Sequence, residues 1–197
     1  MDQAELSKEP SETPIAVTSA ASAHEYSYEL KIPEERIAVL IGAAGKTKKE
    51  IEEASGCTLA VSKEGDVEIT GTDALLLYTT REIVRAIARG FNPQIALQLL
   101  KSDFVLEVID LTDVAAGKKN VLERLRGRII GSEGKSRREI EQLSNTSISV
   151  YGKTVAIIGD VAQVELAREA VAMLVRGSMH RTVYQFLERK RKEMMRG

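Results

Sequence analysis

Two short segments combine glycine and lysine in a pattern that suits the binding of phosphate. The first runs Gly42-Ala-Ala-Gly-Lys46 and the second runs Gly131-Ser-Glu-Gly-Lys135. Glycines let a sugar–phosphate chain approach the protein backbone closely, and they permit positive φ angles. A helix that starts at the lysine adds free amide groups and a favourable dipole to the lysine's own charge. The pattern therefore predicts two loops that favour an anionic phosphate.

The two segments lie within a longer internal repeat, in which Gly42 corresponds to Gly131, 89 residues later. The identical residues of the first copy are Ile41, Gly42, Gly45, Lys46, Glu50, Ile51 and Glu52, which recur as Ile130, Gly131, Gly134, Lys135, Glu139, Ile140 and Glu141. Lys48 and Lys49 recur as the cations Arg137 and Arg138. Such a repeat predicts two related units of roughly 75–85 residues rather than one larger domain.

Each copy carries the same predicted order of elements, β-α-α-β-β-α. Alternating apolar residues predict the strands, and apolar residues at helical spacing predict the helices, with Ile51 and Ala54 on the buried face of the second helix. Thr72 or Asp73 is expected to cap the third helix of the first copy, and Asp160 its counterpart in the second. The link between the copies is expected to be helical over 95–100, and a last basic helix is expected over 178–195.

This order, with Gly-x-x-Gly between the first two helices, resembles the type I KH domain, whose loop clamps four nucleotides of a strand. The resemblance implies an α+β fold with two tandem type I KH domains and an extra basic C-terminal helix. We predict a disordered tail over residues 1–25, the first domain over 26–91 and a linker over 92–101. The second domain is expected over 102–177 and the basic helix over 178–197.

The KH resemblance also predicts which residues contact RNA. The unstacked bases are expected in a groove whose apolar floor pairs the isoleucine before each loop with a residue of the edge strand. These pairs are Ile41 with Leu59 and Ile130 with Ile148. The predicted RNA-binding residues of both units are Ile41, Gly42, Ala43, Ala44, Gly45, Lys46, Lys48, Lys49, Leu59, Arg126, Arg128, Ile130, Gly131, Ser132, Glu133, Gly134, Lys135, Arg137, Arg138 and Ile148.

The charged residues near the second loop include one that would repel phosphate and three that could attract it. Glu133 would repel phosphate, which predicts weaker binding by the second unit alone. Arg124, Arg126 and Arg128 precede this loop, and phosphate contact and an ordinary solvated helix face are equally open interpretations for them.

The net charge of −1 hides a segregated distribution. Residues 1–25 carry five acidic residues and one lysine, whereas residues 176–197 carry seven lysines and arginines and two glutamates. Aromatic residues are only 4% of the chain and tryptophan is absent. We therefore expect RNA contacts through backbone, aliphatic and cationic groups more than through ring stacking.

An enzyme is the less favoured interpretation. Each loop resembles the end of a nucleotide-binding P-loop, but that motif needs a glycine five residues before its Gly-Lys, where Leu40 and Ile129 stand. The single cysteine, Cys57, and two distant histidines disfavour a disulfide or a metal site, and we expect no catalytic residue or cofactor. Without a predicted membrane span or leader peptide, the chain is expected in the reducing cytoplasm.

Segments of the second unit resemble the archaeal partner-of-Nob family of small-subunit assembly proteins. These segments are Gly127-Arg-Ile-Ile-Gly-Ser-Glu-Gly-Lys-Ser136, Ile148-Ser-Val-Tyr-Gly-Lys-Thr-Val-Ala-Ile-Ile-Gly159 and Thr182-Val-Tyr-Gln-Phe-Leu-Glu188. The resemblance implies binding near the 3′ end of precursor 16S rRNA. It also implies two protein partners, the Nob endonuclease and the alpha subunit of translation initiation factor two.

One position departs from the family pattern and two other functions stay open. Arg181 stands where a small residue is expected after the histidine, which leaves the role of His180 undefined. The chain could instead be a general KH RNA binder or chaperone, without preference for rRNA. A third interpretation is a protein scaffold in translation whose KH folds no longer bind RNA, which the two intact loops disfavour.

Overall fold

The computed structural model describes residues 25–194, so nearly all of the predicted N-terminal tail lies outside the described residues. Two units with the order β-α-α-β-β-α follow one another. Each unit has a three-stranded antiparallel sheet whose last strand is central, and the strand orders are β1-β3-β2 and β4-β6-β5. The predicted α+β class and element order are confirmed. Among the described helices, none is long and apolar enough to cross a membrane.

The first unit supplies the first Gly-x-x-Gly loop between its first two helices. Its elements are β1 Tyr26–Lys31, α1 Glu34–Ile41, α2 Lys46–Ser55, β2 Thr58–Val61, β3 Asp66–Gly71 and α3 Ala74–Ala88. The segment that follows folds as α4 Pro93–Ala96 and a 3-10 turn, Leu97–Leu100, which agrees with the helix expected there.

The second unit repeats this arrangement and adds two helices. Its elements are β4 Phe104–Asp110, α5 Thr112–Ala115, α6 Lys119–Ile130, α7 Lys135–Ser144, β5 Ser147–Tyr151, β6 Thr154–Asp160, α8 Val161–Val175 and α9 His180–Met194. The short α5 was not predicted, and it has no counterpart between β1 and α1. The basic helix α9 begins two residues later than expected, and Met195 lies outside the described residues.

Local side-chain contacts explain where the long helices begin and which face is buried. The Asp73 carboxylate accepts hydrogen bonds from the amides of Leu75 and Leu76 at the start of α3. Asp73 rather than Thr72 is therefore the N-cap of this helix. Asp160 caps α8 in the same way. The prediction that α2 buries Ala54 is wrong. Ala54 is exposed, whereas Ser55 is buried and donates its hydroxyl hydrogen to the Ile51 carbonyl.

The two units share a hydrophobic interface because their sheets carry different residues on the face turned away from their own helices. On this face of the first sheet Glu29 pairs with Glu68, and both are exposed. At the matching place in the second unit Val108 faces Ala156, and Ala156 is fully buried in the core cluster of the first unit. Phe91, Ala96 and Leu99 of the connecting segment belong to the same cluster. Residues 92–101 therefore form part of the interface, while the predicted domain boundaries stay predictions.

Polar contacts fix the orientation of the second unit's edge strand against the first unit. The Ser149 hydroxyl donates to the carbonyl of Arg89 at 2.8 Å. The Tyr151 hydroxyl donates to Oε1 of Glu35 on α1, and the Arg36 guanidinium lies 5.9 Å from the centre of the Tyr151 ring. Burial, and then the hydrogen bond to Glu35, raise the pKa of Tyr151 above its usual 10.0. The two grooves are thus held in one relative orientation.

Candidate nucleic-acid interface

The two Gly-x-x-Gly loops have the same backbone conformation although their middle residues differ. Gly42 and Gly131 have φ, ψ of 72°, 176° and 71°, 175°. Gly45 and Gly134 are left-handed, with φ, ψ of 78°, 11° and 76°, 14°. The repeated sequence has therefore produced two copies of one loop geometry.

The first glycine of each loop is required by close packing against the next helix. A Cβ atom on Gly42 would lie 2.8 Å from the amide nitrogen of Thr47 and would also overlap its hydroxyl. A Cβ on Gly131 would lie 2.7 Å from the Cβ of Ser136 and 2.8 Å from its amide nitrogen. These distances are too short for any side chain, so the loop folds onto the helix only with glycine here.

The second glycine of each loop faces open space. A Cβ atom on Gly45 would meet nothing within 4 Å among the described residues, and one on Gly134 would meet only the flexible end of Arg138, at 3.4 Å. Close packing therefore does not require glycine at these positions. The left-handed backbone favours it, and the absence of a side chain leaves room for a ligand.

The residue before the second glycine of each loop also has a left-handed backbone conformation. Ala44 has φ 52° and Glu133 has φ 51°, which L-residues adopt at a cost of about 1–2 kcal/mol. Both side chains are exposed at the crest of their loops. Strain of this kind is characteristic of ligand-binding loops, where the surrounding structure holds the backbone ready for contact.

No side chain between residues 25 and 194 caps the start of the helix that follows each loop. Gly45 and Gly134 occupy the cap positions of α2 and α7, and neither can supply an oxygen to the first amides. The positive end of each helix dipole thus points to the loop, where Lys46 and Lys135 are exposed. Uncapped amides beside an exposed cation make each loop suitable for an anion.

The structure places the other predicted cations of each loop helix on two different faces. Lys49 and Arg138 are exposed beside their loops, together with Ala43 and Ser132 of the loops themselves. Lys48 and Arg137 are half-buried and form ion pairs along their own helices. The pairs are Lys48 with Glu52, at 3.8 Å, and Arg137 with Glu141, at 3.6 Å.

The predicted apolar floor is only partly accessible. Ile41 and Ile130 are half-buried beside the loops, but Leu59 is 0% exposed and Ile148 2% exposed. The prediction that Leu59 and Ile148 line the groove surface is therefore wrong. Alternate residues of a strand point to opposite sheet faces, and Leu59 lies opposite the buried Ile69 on the face that packs into the core.

The Arg128 guanidinium binds two backbone carbonyls. Its Nε donates to the Leu174 carbonyl at 2.9 Å, and its Nη2 donates to the carbonyl of Ser178. The His180 ring nitrogen Nε2 lies 2.8 Å from the carbonyl oxygen of Arg128, so the two residues join the start of α9 to α6. These contacts give Arg128 a structural role, and its contact with RNA stays a prediction. The nearby Arg126 is half-buried, and its Nε has no hydrogen-bond partner in the described part of the chain.

Two glutamates hold the edge strands to the loop helices, which was not predicted. The amide of Leu59 donates to Oε1 of Glu52 at 2.8 Å, and the amide of Ile148 donates to Oε1 of Glu141 at 2.7 Å. Both glutamates are identical between the copies of the repeat, which was the available signal. The amides that donate to these glutamates belong to the edge strands β2 and β5. They lie on the side of each strand that faces the loop helix, where the bases are expected.

The basic helix α9 lies next to the second loop helix. It packs against α7 and α8 through the buried Val183 and Leu187. Its exposed residues include Arg181, Arg189, Arg191 and Lys192. The positive surface beside the second loop therefore continues along α9.

The described residues contain no group of three or more histidine, cysteine, aspartate or glutamate side chains that could hold a metal ion. Cys57 is buried, as a core residue would be.

Family models match both units of the chain. Residues 105–192 match the eukaryotic type KH-domain (KH-domain type I), and residues 27–77 match the KH domain. A KH domain-containing protein of Methanocaldococcus jannaschii, MJ0443, is 52% identical over 85% of this chain and 75% of its own length. The pre-rRNA-processing protein PNO1 of Candida albicans is 33% identical over 57% of this chain, a match that spans 41% of that longer protein.

Solved structures show the same fold. A chain in the crystal structure of the a/eIF2alpha–aDim2p–rRNA complex from Pyrococcus horikoshii OT3 superimposes with a TM-score of 0.80 and 48% identity. The superposition covers 86% of this chain and 96% of that chain.

Proposed function

Because the chain belongs to the family of tandem KH-domain proteins that includes the PNO1 pre-rRNA-processing proteins, we propose that it binds single-stranded RNA during maturation of the small ribosomal subunit. One observation carries the proposal. Two loops of different sequence share one strained backbone, and each places an uncapped helix start and an exposed lysine side by side. Phosphate is the ligand that this combination suits best.

The RNA segment proposed is the region near the 3′ end of precursor 16S rRNA. The resemblance of the second unit to small-subunit assembly proteins supports this choice, and a related archaeal protein has been crystallised with rRNA. Each loop holds phosphates while the neighbouring groove holds unstacked bases. Because Tyr151 and Glu35 join the two units, both grooves act on one strand in a fixed relative orientation.

The protein acts by recognition and performs no chemistry of its own. Bound to the rRNA, it presents the cleavage site to the Nob endonuclease in the cytoplasm. The alpha subunit of translation initiation factor two is the second proposed protein partner, since a related chain has been crystallised in a complex that contains both that subunit and rRNA.

The proposal is tested by fluorescence anisotropy with a short RNA that copies the 3′ end of 16S rRNA and with a shuffled RNA, at two salt concentrations. Selective binding is expected, with a salt slope of about −0.7 for each phosphate contacted. Equal affinity for both RNAs would leave a general KH RNA binder, and no affinity for either would leave a protein scaffold.

The loops are tested with the double variant Gly45→Asp and Gly134→Asp. A carboxylate at these two open positions would repel phosphate, and aspartate tolerates the left-handed backbone better than most residues do. The matched control is Gly56→Asp with Gly117→Asp, because these glycines also have positive φ and open surroundings. Loss of RNA affinity in the loop variant alone is expected. Equal affinity in loop variant and control would refute the clamp.

A further inference from the structure

Strand β1 of the first unit has an edge with which no other strand of the described residues pairs. The backbone groups of a strand point alternately to its two sides, and the Ile32 amide donates to the Gly65 carbonyl on the β3 side at 2.8 Å. Counting back from Ile32, every second residue points to β3. The residues between them direct their N–H and C=O groups away from the sheet, namely Ser27, Glu29 and Lys31. Such a row of outward donors and acceptors is a template for a further strand.

The corresponding strand of the second unit lies in different surroundings. β4 packs against the 3-10 turn Leu97–Leu100 of the connecting segment, and its Leu106 and Val108 contact the core of the first unit. Ser27 and Glu29 stand at the corresponding places of β1, and both are exposed. Within residues 25–194, the first unit thus leaves uncovered a surface that the second unit partly buries.

A cleft of about 1140 Å³ runs along this edge of β1, and we call it the β1 cleft. Its wall on the helix side carries three half-buried arginines of α3, each one helical turn from the next: Arg81, Arg85 and Arg89. The buried Glu82 lies 3.1 Å from Arg81 and 2.9 Å from Arg85, and it is the one acidic residue of α3. Three guanidinium groups against one carboxylate leave two positive charges in excess on this wall.

The matching helix of the second unit neutralises its own arginines. In α8, Arg168 and Arg176 occupy the positions that correspond to Arg81 and Arg89. Both are held by carboxylates of their own helix, at 2.6 Å each. The Arg89 guanidinium, in contrast, forms no hydrogen bond or ion pair with the described residues, and Asp110 of the second unit attracts it only from a greater distance. The arginines along β1 are therefore less neutralised by the protein than those of α8.

Aromatic side chains flank the first of the three arginines. The Arg81 guanidinium lies 4.6 Å from the centre of the Tyr28 ring and 5.2 Å from that of Tyr78. Tyr78, Leu75 and Tyr26 are 52%, 73% and 43% exposed, so an apolar surface continues from the cleft. Tyrosine and arginine are enriched among the residues that dominate the binding energy of protein interfaces. The cleft therefore suits a polypeptide, whose backbone also matches the outward groups of β1, better than it suits a nucleic acid.

We propose that the β1 cleft binds an extended segment of a protein partner, which adds to the first sheet as an antiparallel strand and turns acidic side chains toward α3. Side chains two residues apart on a strand share one face at a spacing of about 6.8 Å, close to the rise of about 5.4 Å in one helical turn. Carboxylates at alternate positions of the added strand therefore lie along the row of arginines. Its other face meets Glu29 and the ion pair of Lys31 with Asp66, which favours polar side chains there. The lining of the cleft includes neither Gly-x-x-Gly loop, so the inference does not depend on the proposed RNA binding.

The probe is an eight-residue peptide of alternating glutamate and threonine, blocked at both ends and labelled for fluorescence anisotropy. The full chain is expected to bind it about tenfold more tightly than the same peptide with lysine in place of glutamate. When the glutamates face α3, the amides of the threonines face β1. N-methylation of the threonines should therefore abolish binding, whereas N-methylation of the glutamates should not. Equal affinity for the two N-methylated peptides would overturn strand addition.

Hydrogen exchange followed by NMR reports on the added strand directly. The amides of Ser27, Glu29 and Lys31 should exchange at least about tenfold more slowly when the peptide is bound, because each outward N–H then donates to a peptide carbonyl. Unchanged exchange at all three amides in the presence of bound peptide would contradict the proposal.

The matched variants are Arg85→Gln with Arg89→Gln and, as control, Arg168→Gln with Arg176→Gln. Both pairs remove two positive charges from corresponding helices. Peptide affinity should fall about tenfold in the first pair and stay unchanged in the second, while RNA affinity stays unchanged in both. Equal loss in both pairs, or displacement of the peptide by an eight-nucleotide RNA, would place the peptide elsewhere on the protein and refute the β1 cleft as its site. No binding of the peptide by the unaltered chain would refute the inference and leave the proposed RNA binding intact.

Discussion

Replacing the first glycine of the second loop by alanine should destabilise the protein far more than replacing the second. In Gly131→Ala the new methyl group lies 2.7 Å from the Ser136 Cβ and 2.8 Å from its amide nitrogen. The φ, ψ pair of 71°, 175° also belongs to a region that is essentially reserved for glycine. Overlap and strain together cost about 3 kcal/mol.

An alanine at the second glycine causes less steric overlap and less backbone strain than one at the first. In Gly134→Ala the methyl group contacts only the end of Arg138, at 3.4 Å, and the left-handed backbone costs about 1 kcal/mol. For a chain of this length, each kcal/mol shifts Tm by roughly 2–4 °C. We therefore expect Gly131→Ala to lower Tm by roughly 6–12 °C and Gly134→Ala by roughly 2–4 °C.

The measurement is thermal unfolding followed by circular dichroism, with the free energy of unfolding from urea titration as a second readout. Gly42→Ala and Gly45→Ala in the first loop are the matched pair, since Thr47 lies against Gly42 as Ser136 lies against Gly131. Equal loss of stability at the two glycines of a loop would refute the division into a packing glycine and a ligand-facing glycine. The same result in both loops would show that the close approach to the helix is relieved by small shifts.

Three further predictions concern single side chains. Arg128→Ala should lower the free energy of unfolding by about 2–3 kcal/mol, because two carbonyls lose a charged donor, while the RNA affinity of the folded protein stays unchanged in anisotropy titrations. Glu133→Lys should tighten RNA binding and steepen the salt slope by about 0.7, since one more phosphate is neutralised; an unchanged slope would place this side chain away from the RNA. The raised pKa of Tyr151 means that its neutral form stabilises the fold below pH 10 and that this contribution is lost as the pH rises through the higher folded-state pKa. Urea titrations between pH 9 and pH 11 should therefore show a steeper loss of stability in the unaltered chain than in Tyr151→Phe, and parallel curves would contradict the contact with Glu35.

Much of the fold could be predicted because it depends on residues close together in the chain. The repeat predicted two β-α-α-β-β-α units, and the structure contains both. Asp73 and Asp160 were expected as helix caps from their positions alone, since a cap needs only the amides two or three residues later. The loops follow the same logic, because two glycines and a helix start within a few residues define their backbone.

What could not be predicted depended on contacts between distant parts of the chain. Arg128 stands beside the loop in the sequence, and only the fold shows that its guanidinium reaches the carbonyls of Leu174 and Ser178. Leu59 was expected at the groove surface, and only the fold of the sheet shows that its side chain points into the core while its amide meets Glu52. A sequence pattern gives the spacing of such residues but not the partner that each one finds.

The sequence by itself determined the two units, their element order and the two loops, since these follow from periodicity, glycine positions and caps over short distances. Tertiary structure alone decided how the units join. Glu68 and Ala156 occupy matching places in the two sheets, but Glu68 is exposed, whereas Ala156 packs into the hydrophobic core of the first unit. It also decided which charged side chains are held by the protein itself, because carbonyls or carboxylates from elsewhere in the fold reach some of them and leave others exposed.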